Sequence, residues 1–305
     1  MTVNQRRSSK DIQAQDSGDE LLGLQRNDVT RSIVQNEREG RYFMTQTSAA
    51  ITPPSLLLAL TELPRAIFEL GALPWASPLL SRAPKGDGHP VMVLPGFITS
   101  DFSTRLLRRY FDRLGYDSYG WALGRNLGPK AIGVDGEKLI ARLEEIHAET
   151  GEKISLVGWS LGGVMARQLS RWRPDLVRQV ISLGSPIVGD PRATNVWKTY
   201  ERLTGQKIRD PKTQAQMKES HLAPPVPSTA IYSKNDGIVA WRNCIEPQDP
   251  QTDNIEVRGS HCGLGVNPVV LLAIADRLAQ PADGWTPFDR SGLRALVYPS
   301  SGHLQ

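Results

Sequence analysis

Residues 158–162 read Gly-Trp-Ser-Leu-Gly, a G-x-S-x-G pentapeptide centred on Ser160. By composition such a match arises by chance in about one chain of this length in ten, so the letters need a structural context. They have one. An apolar run, Ile154, Ser155, Leu156 and Val157, precedes the pentapeptide, and a segment of helical spacing, 161–172, follows it. A serine between strand and helix sits in a sharp, strained turn, and side chains two residues to either side would clash across it. The helix start adds unpaired N–H groups and a positive dipole end, which favour developing negative charge. A serine that only caps the helix is the plainer alternative. The chemistry such a residue could do is nucleophilic attack on an acyl group.

A serine hydroxyl attacks only if a base removes its proton. The chain has five histidines, 89, 147, 221, 261 and 303. His261 alone follows an expected strand, in Glu-Val-Arg-Gly-Ser-His at 256–261, which brings it to the carboxyl edge of a sheet where Ser160 also emerges. The acid that orients the imidazole is then Asp236, in Lys-Asn-Asp-Gly at 234–237, because its strand immediately precedes that of the histidine. Asp190, a few residues past the strand before, is the rival, and Asn-Asp-Gly is also ordinary turn chemistry. Two backbone donors complete an oxyanion hole: the N–H of Leu161, and that of Phe97 in Leu-Pro-Gly-Phe at 94–97.

The elements that must position these residues alternate. The short continuous apolar run at 91–94 and the segments at 116–123, 153–158, 177–183, 229–233 and 254–257 read as strands. Helical spacing falls at 106–114, 139–146 and 161–172, and Asn267 followed by Pro268 starts a helix that runs to about 279. This pattern gives an α/β fold, a mostly parallel sheet with helices on both faces. Ligands bind such sheets outside the carboxyl ends of the strands.

Taken together, Pro-Gly-Phe at 95–97, Gly-Trp-Ser-Leu-Gly at 158–162, Asn-Asp-Gly at 235–237 and Gly-Ser-His at 259–261 resemble the lipase and esterase members of the α/β-hydrolase fold. The chain order Ser, Asp, His is similar as well. The resemblance covers residues 91–280 and implies a sheet of up to eight strands, no cofactor, and hydrolysis of esters. It also implies a cap or lid at 187–227, between strands six and seven of the fold, where an ordinary surface excursion is the alternative; Trp197, Tyr200, Leu203 and Met217 lie there. Where the family often has His-Gly at the oxyanion strand end, this chain has Pro95-Gly96. Trp121, Trp159, Phe97, Ile187 and Val188 would supply apolar walls for a medium or long acyl chain. An acyltransferase or thioesterase would use the same triad, and a non-catalytic binding module of the same fold would have lost a member of it.

The remaining regions divide as follows. Residues 1–50 are polar and charged and read as a disordered tail, 51–85 as a helical lead-in broken at Pro64 and Pro74, 86–285 as the hydrolase domain, and 286–305 as a C-terminal tail. Residues 53–80 are the most apolar stretch, yet Glu62, Arg65 and Glu69 interrupt it, so it does not span a bilayer. It either packs on the domain or forms a peripheral membrane contact. No signal peptide is visible, so a cytoplasmic location is the expectation. The net charge of +4 comes from scattered Lys and Arg, which argues against nucleic acid and leaves a small-molecule or lipid ester as partner. Two cysteines, 244 and 262, match no zinc pattern. They leave adjacent loops, so a disulfide tying the acid's loop to the base's loop and a pair of buried free thiols are both open.

Overall fold

A strand buried on both faces sends alternate side chains into two separate cores. The computed structural model shows this at the strand 90–94: Val91 and Val93 join one cluster with Leu107, Phe111, Val270 and Ile274. Met92 and Leu94 join another, with Leu139, Leu143, Ala166 and Leu169. The structure describes residues 51–211, 213, 219 and 221–299; the expected tail over 1–50, Met217 and residues 300–305 lie outside them.

Six strands form one sheet: β1 (Pro90–Leu94), β2 (Asp117–Gly120), β3 (Ile154–Trp159), β4 (Val177–Leu183), β5 (Ser228–Ser233) and β6 (Thr252–Val257). They run in the order β2-β1-β3-β4-β5-β6, and every neighbouring pair is parallel. Among the described residues no antiparallel strand precedes β1, so the sheet is shorter than the eight strands the resemblance implies. Register sets the edge. Trp159 pairs with Leu183, and Leu183 with Ile231; Ser233 pairs with Val257. The segments leaving β3, β4, β5 and β6 therefore start from one edge of the sheet.

The helices are α1 (Leu56–Leu60), α2 (Glu62–Leu80), α3 (Arg105–Leu114), α4 (Pro129–Ile132), α5 (Glu137–Thr150), α6 (Leu161–Trp172), α7 (Trp197–Thr204) and α8 (Pro268–Leu278). At the start of α8 Asn267 accepts the N–H of Val269, with Pro268 in the first turn. Helix α6 carries a buried ion pair: Arg167 Nε and Nη2 donate to the two oxygens of Glu246 at 2.8 and 2.6 Å. Ser228 Oγ donates to the same carboxylate. Bidentate geometry with a further donor is what makes such a buried pair tolerable. It pins α6, and so the turn in front of it, to β5 and the loop before β6.

Two expectations change. The lead-in does not break at Pro64 and Pro74; the break falls at Thr61, and α2 then runs through Pro74 and Pro78. Pro64 stands in the first turn, where its missing N–H costs nothing, and Pro74 and Pro78 occupy exposed positions. Residues 286–299 are also no tail. Phe288 and Tyr298 are buried in the core cluster beside α8, in edge-to-face contact at 4.7 Å, and Tyr298 donates its hydroxyl to Val269 O.

Candidate active site

The turn after β3 is strained as the pentapeptide requires. Ser160 has φ 54° and ψ −120°, a conformation that costs a non-glycine residue on the order of 1–3 kcal/mol. A Cβ on Gly158 would come within 2.4 Å of Gly162 O and Gly163 Cα, and one on Gly162 within 2.3 Å of Leu94 O. Only glycine lets the strand fold back onto the helix start and the helix start approach the end of β1. That approach also brings in the second loop: a Cβ on Gly96 would sit 3.5 Å from Ser160 Cβ.

The N–H of Leu161 lies in the first turn of α6, which offers it no intrahelical partner. Phe97 N–H makes no hydrogen bond among the described residues, whereas its neighbour Ile98 donates to Asn126 O at 2.8 Å. Asn126 is fully buried and fixes this loop from three sides: its N–H donates to Thr99 O, its carbonyl accepts from Ile98, and its side chain donates to Pro95 O at 2.8 Å. A buried side-chain amide thus holds the carbonyl of Pro95 at the end of β1.

Asp236 and His261 meet. Asp236 Oδ2 lies 2.6 Å from His261 Nδ1, and both side chains are buried. The other oxygen, Oδ1, accepts the N–H groups of Ile238 and Val239 at 2.8 and 2.7 Å, so the carboxylate is held at both ends. A Cβ on Gly184, which has φ 56°, would lie 3.1 Å from both Asp236 Oδ2 and His261 Nδ1. Burial acts to lower the pKa of His261, but the charge and hydrogen bond of Asp236, with the charge of Glu62, outweigh it and hold the imidazole above its ordinary value. Asp190, by contrast, is about 40% exposed and paired with Arg192 at 2.5 Å. The structure does not join Ser160 Oγ to His261 by a hydrogen bond among the described residues; the neighbouring residue makes the link, where Trp159 Nε1 donates to His261 O at 3.1 Å.

Beside these loops lies α2, and its role is the one the sequence left hidden. Glu62 accepts Gly237 N–H on Oε1 at 2.7 Å and Cys262 N–H on Oε2 at 2.8 Å. Glu69 accepts Ser260 N–H on Oε1 at 2.7 Å and the side-chain amide of Asn267 on Oε2 at 3.1 Å. Arg65 donates to Asn235 O at 2.7 Å and to Glu62. A signal was present: Glu62, Arg65 and Glu69 are the charges of the most apolar stretch, at i, i+3 and i+7, which puts them on one helix face.

Both cysteines are free. Cys244, fully buried, points its thiol at Ala240 O, and Cys262 is turned toward Glu62. Burial, with the nearby Glu62 charge, pushes the Cys262 thiol up to about 12. Trp121 is likewise no wall of the site: it is fully buried in the second core and donates its indole N–H to Gly124 O. Ile187 is buried too, while Phe97, Trp159 and Val188 remain partly exposed. From the insert, Tyr200 on α7 packs its ring against Phe97 at 5.4 Å between centroids.

A second Ser–His–Asp set exists at the opposite edge of the sheet. His89 Nε2 lies 2.8 Å from Ser155 Oγ, and Asp87 bonds His89 Nδ1. Ser155 and His89 have no exposed surface, and Ser155 stands inside β3. Burial lowers the pKa of His89, against the raising effect of Asp87. This set ties β1 to β3. Among the described residues no group of three or more His, Cys, Asp and Glu side chains could hold a metal ion.

The parallel sheet, the turn at Ser160 and the chain order Ser, Asp, His are the α/β-hydrolase arrangement. No protein-family model matches the chain. A triacylglycerol lipase of Vibrio cholerae serotype O1 is 46% identical over 50 residues, a match that spans only 16% of this chain and 16% of that protein. Among solved structures, Bacillus licheniformis lipase BlEst2 matches with a TM-score of 0.48 at 17% identity over 65% of this chain and 94% of its own. Aspergillus fumigatus lipase B matches at 0.47 and 20% identity, over 64% and 54%.

Proposed function

We propose that this protein is a serine hydrolase that cleaves carboxylic esters through an acyl-enzyme on Ser160. The observation that carries this reading is the strained serine after β3 at the same sheet edge as the 2.6 Å Asp236–His261 pair. In this mechanism His261 takes the Ser160 proton as Oγ attacks the ester carbonyl. Asp236 holds the imidazole in the required tautomer and stabilises its charged form. The N–H groups of Phe97 and Leu161 receive the oxyanion. The imidazolium then protonates the leaving alcohol, and water, activated by the same histidine, releases the acid. Residues 86–285, with 286–299 packed into the same core, form the catalytic domain, and the partly exposed Phe97 and Trp159 suit an apolar acyl chain.

The substrate is a small-molecule or lipid ester, and the lead-in forms a peripheral contact with lipid. Helix α2 is inverted for a surface helix: its three charged residues are buried or half-buried, and its exposed positions carry no charge. Phe68 is 80% and Trp75 89% exposed, in line with Leu63, Ile67 and Leu79. Uncharged apolar faces of this kind mark interaction sites. Arg109 and Arg113 line a groove with Leu73, Ser77 and Leu80 beside this face, a basic flank that suits an anionic lipid surface. Among the described residues no helix is long and apolar enough to cross a membrane.

Ser160→Ala tests the chemistry. It should lower hydrolysis of p-nitrophenyl esters by about 10⁴-fold or more, and labelling by an organophosphonate should vanish with it. A mutant that still takes the label would sink the nucleophile assignment.

A further inference from the structure

We propose that Glu62 of α2 is a positioning residue that clamps the acid's loop and the base's loop to each other. The inference rests on the roles given above to Asp236 and His261. One buried carboxylate receives the N–H of Gly237, the residue after Asp236, and the N–H of Cys262, the residue after His261. It is 3% exposed. Ser233 Oγ, at the end of β5, also ties the two loops at their start, accepting the N–H groups of Asn235 and Gly259 and donating to Gly259 O, whereas Glu62 holds the residues that directly follow Asp236 and His261. The cross-link that a disulfide between Cys244 and Cys262 would have made is supplied instead by a side chain from outside the sheet.

The loops are shaped to admit it. A Cβ on Gly237 would lie 2.5 Å from Leu58 O, and one on Gly263 2.2 Å from Glu69 Oε2. A side chain at Gly237 would meet lead-in backbone and push it off the loop, and one at Gly263 would displace the Glu69 carboxylate. Arg65 bonds Glu62 and reaches Asn235 O, so the clamp is itself braced. Glu69 is a second anchor of different reach: it holds Ser260 and Asn267, on the base's side only.

The two carboxylates differ in what they do to the imidazole. The charged groups facing His261 are Asp236 from the loop after β5 and Glu62 from α2, with Arg65 beside Glu62 and the Cys262 thiol next in sequence. Glu62 contributes to raising the pKa of His261, and Glu69 is not among the contributors.

The test compares Glu62→Gln, Glu62→Asp and Glu69→Gln in the full chain, with active sites counted by phosphonate labelling. The amide of Glu62→Gln offers one acceptor, so one loop N–H faces a donor. The expected result is a kcat about 10- to 100-fold lower per labelled site, a KM changed much less, and an acid limb of the pH profile moved to lower pH. Glu62→Asp keeps the charge but is too short to reach both loops, so kcat falls while the limb stays. Glu69→Gln leaves the limb in place. The backbone amides of Gly237 and Cys262 should exchange faster in both Glu62 variants, read by NMR together with the His261 ring titration. Wild-type kcat, limb and exchange in Glu62→Gln overturn the clamp, as does wild-type kcat in Glu62→Asp if the glutamine variant does not fold. If the wild-type enzyme takes no label and cleaves no ester, the hydrolase assignment fails, and amide exchange and the ring titration still decide the clamp.

Discussion

The indole N–H of Trp159 donates to the carbonyl oxygen of His261 at 3.1 Å. The residue before Ser160 thus holds the backbone of His261, across the three strands that separate them in sequence. The ring has little freedom, since a Cβ on Gly265 would lie 2.8 Å from it. Trp159→Phe keeps most of the apolar body and removes the donor. A net hydrogen bond is worth about 0.5–1.5 kcal/mol, so kcat on p-nitrophenyl butyrate should fall by about 2- to 10-fold. Unchanged kcat would mean that other contacts already fix the loop.

Asp236→Asn should lower kcat by about 10³- to 10⁴-fold. Ile238 and Val239 keep an oxygen at Oδ1, which leaves the amide nitrogen facing His261 Nδ1 and selects the wrong tautomer. Asp190→Asn, at a surface position paired with Arg192, should change kcat by less than about 3-fold. Steady-state kinetics of the two mutants separate them, and the reverse order of effects would move the acid to the loop after β4.

The pH profile follows from the direction of the His261 shift. A general base works only when neutral, so activity rises as pH passes its pKa. Asp236 and Glu62 hold that pKa above the ordinary 6.5 against the effect of burial. The acid limb of kcat/KM should therefore have its midpoint above 6.5. The stability contribution has the opposite sense: a raised histidine pKa adds stability that is full below the unfolded value and is lost as pH rises through the folded one. A midpoint below 6.5 in the free enzyme would contradict the Asp236–His261 electrostatics.

The insert should tune substrate length. Tyr200 rests on Phe97, and its hydroxyl bonds Gln206 at 2.6 Å. Replacing Trp197 and Tyr200 with serine should change the ratio of octanoate to acetate ester hydrolysis more than acetate hydrolysis itself. A chain-length series that superimposes on wild type would make the insert a surface excursion.

The order of elements was legible where a strand is a short apolar run stopped by proline or glycine, as β1 is at Pro95 and β4 at Gly184, and β4 falls at 177–183 in both readings. Contact between Asp236 and His261 could be anticipated because parallel strands deliver consecutive loops to one edge. The lead-in could not be read in the same way. Its charges face in, and Leu63, Ile67, Phe68, Leu70, Trp75 and Leu79 face out while Leu73, Ala76 and Leu80 pack on the core, so the usual rule that apolar positions mark the buried side does not give the face of α2 that meets the loops. Nor could a local rule explain Gly237 and Gly263: they read as turn residues, while what they accommodate is a helix about 200 positions earlier in the chain. Trp121 was misjudged for a related reason, since nothing local separates a tryptophan in a core from one at a mouth.

Ser155, His89 and Asp87 form a tighter hydrogen-bonded chain than the serine and histidine at the other edge of the sheet, which makes the two edges a matched comparison. The side-chain types are the same; the backbone is not. Inside β3 the peptide groups around Ser155 are spent on parallel neighbours, β1 on one side and β4 on the other, and nothing is left to receive a developing anion. At the far end the ladder runs out after Trp159, Ser160 turns the chain into α6, and the N–H of Leu161 lies in a first helical turn with no intrahelical partner. A parallel sheet is in this sense a chemically polar object, with one edge that consumes its amide donors and one that sheds them. Reactivity follows the donors, and the same three side chains are mortar at one end and, in the function proposed above, machinery at the other.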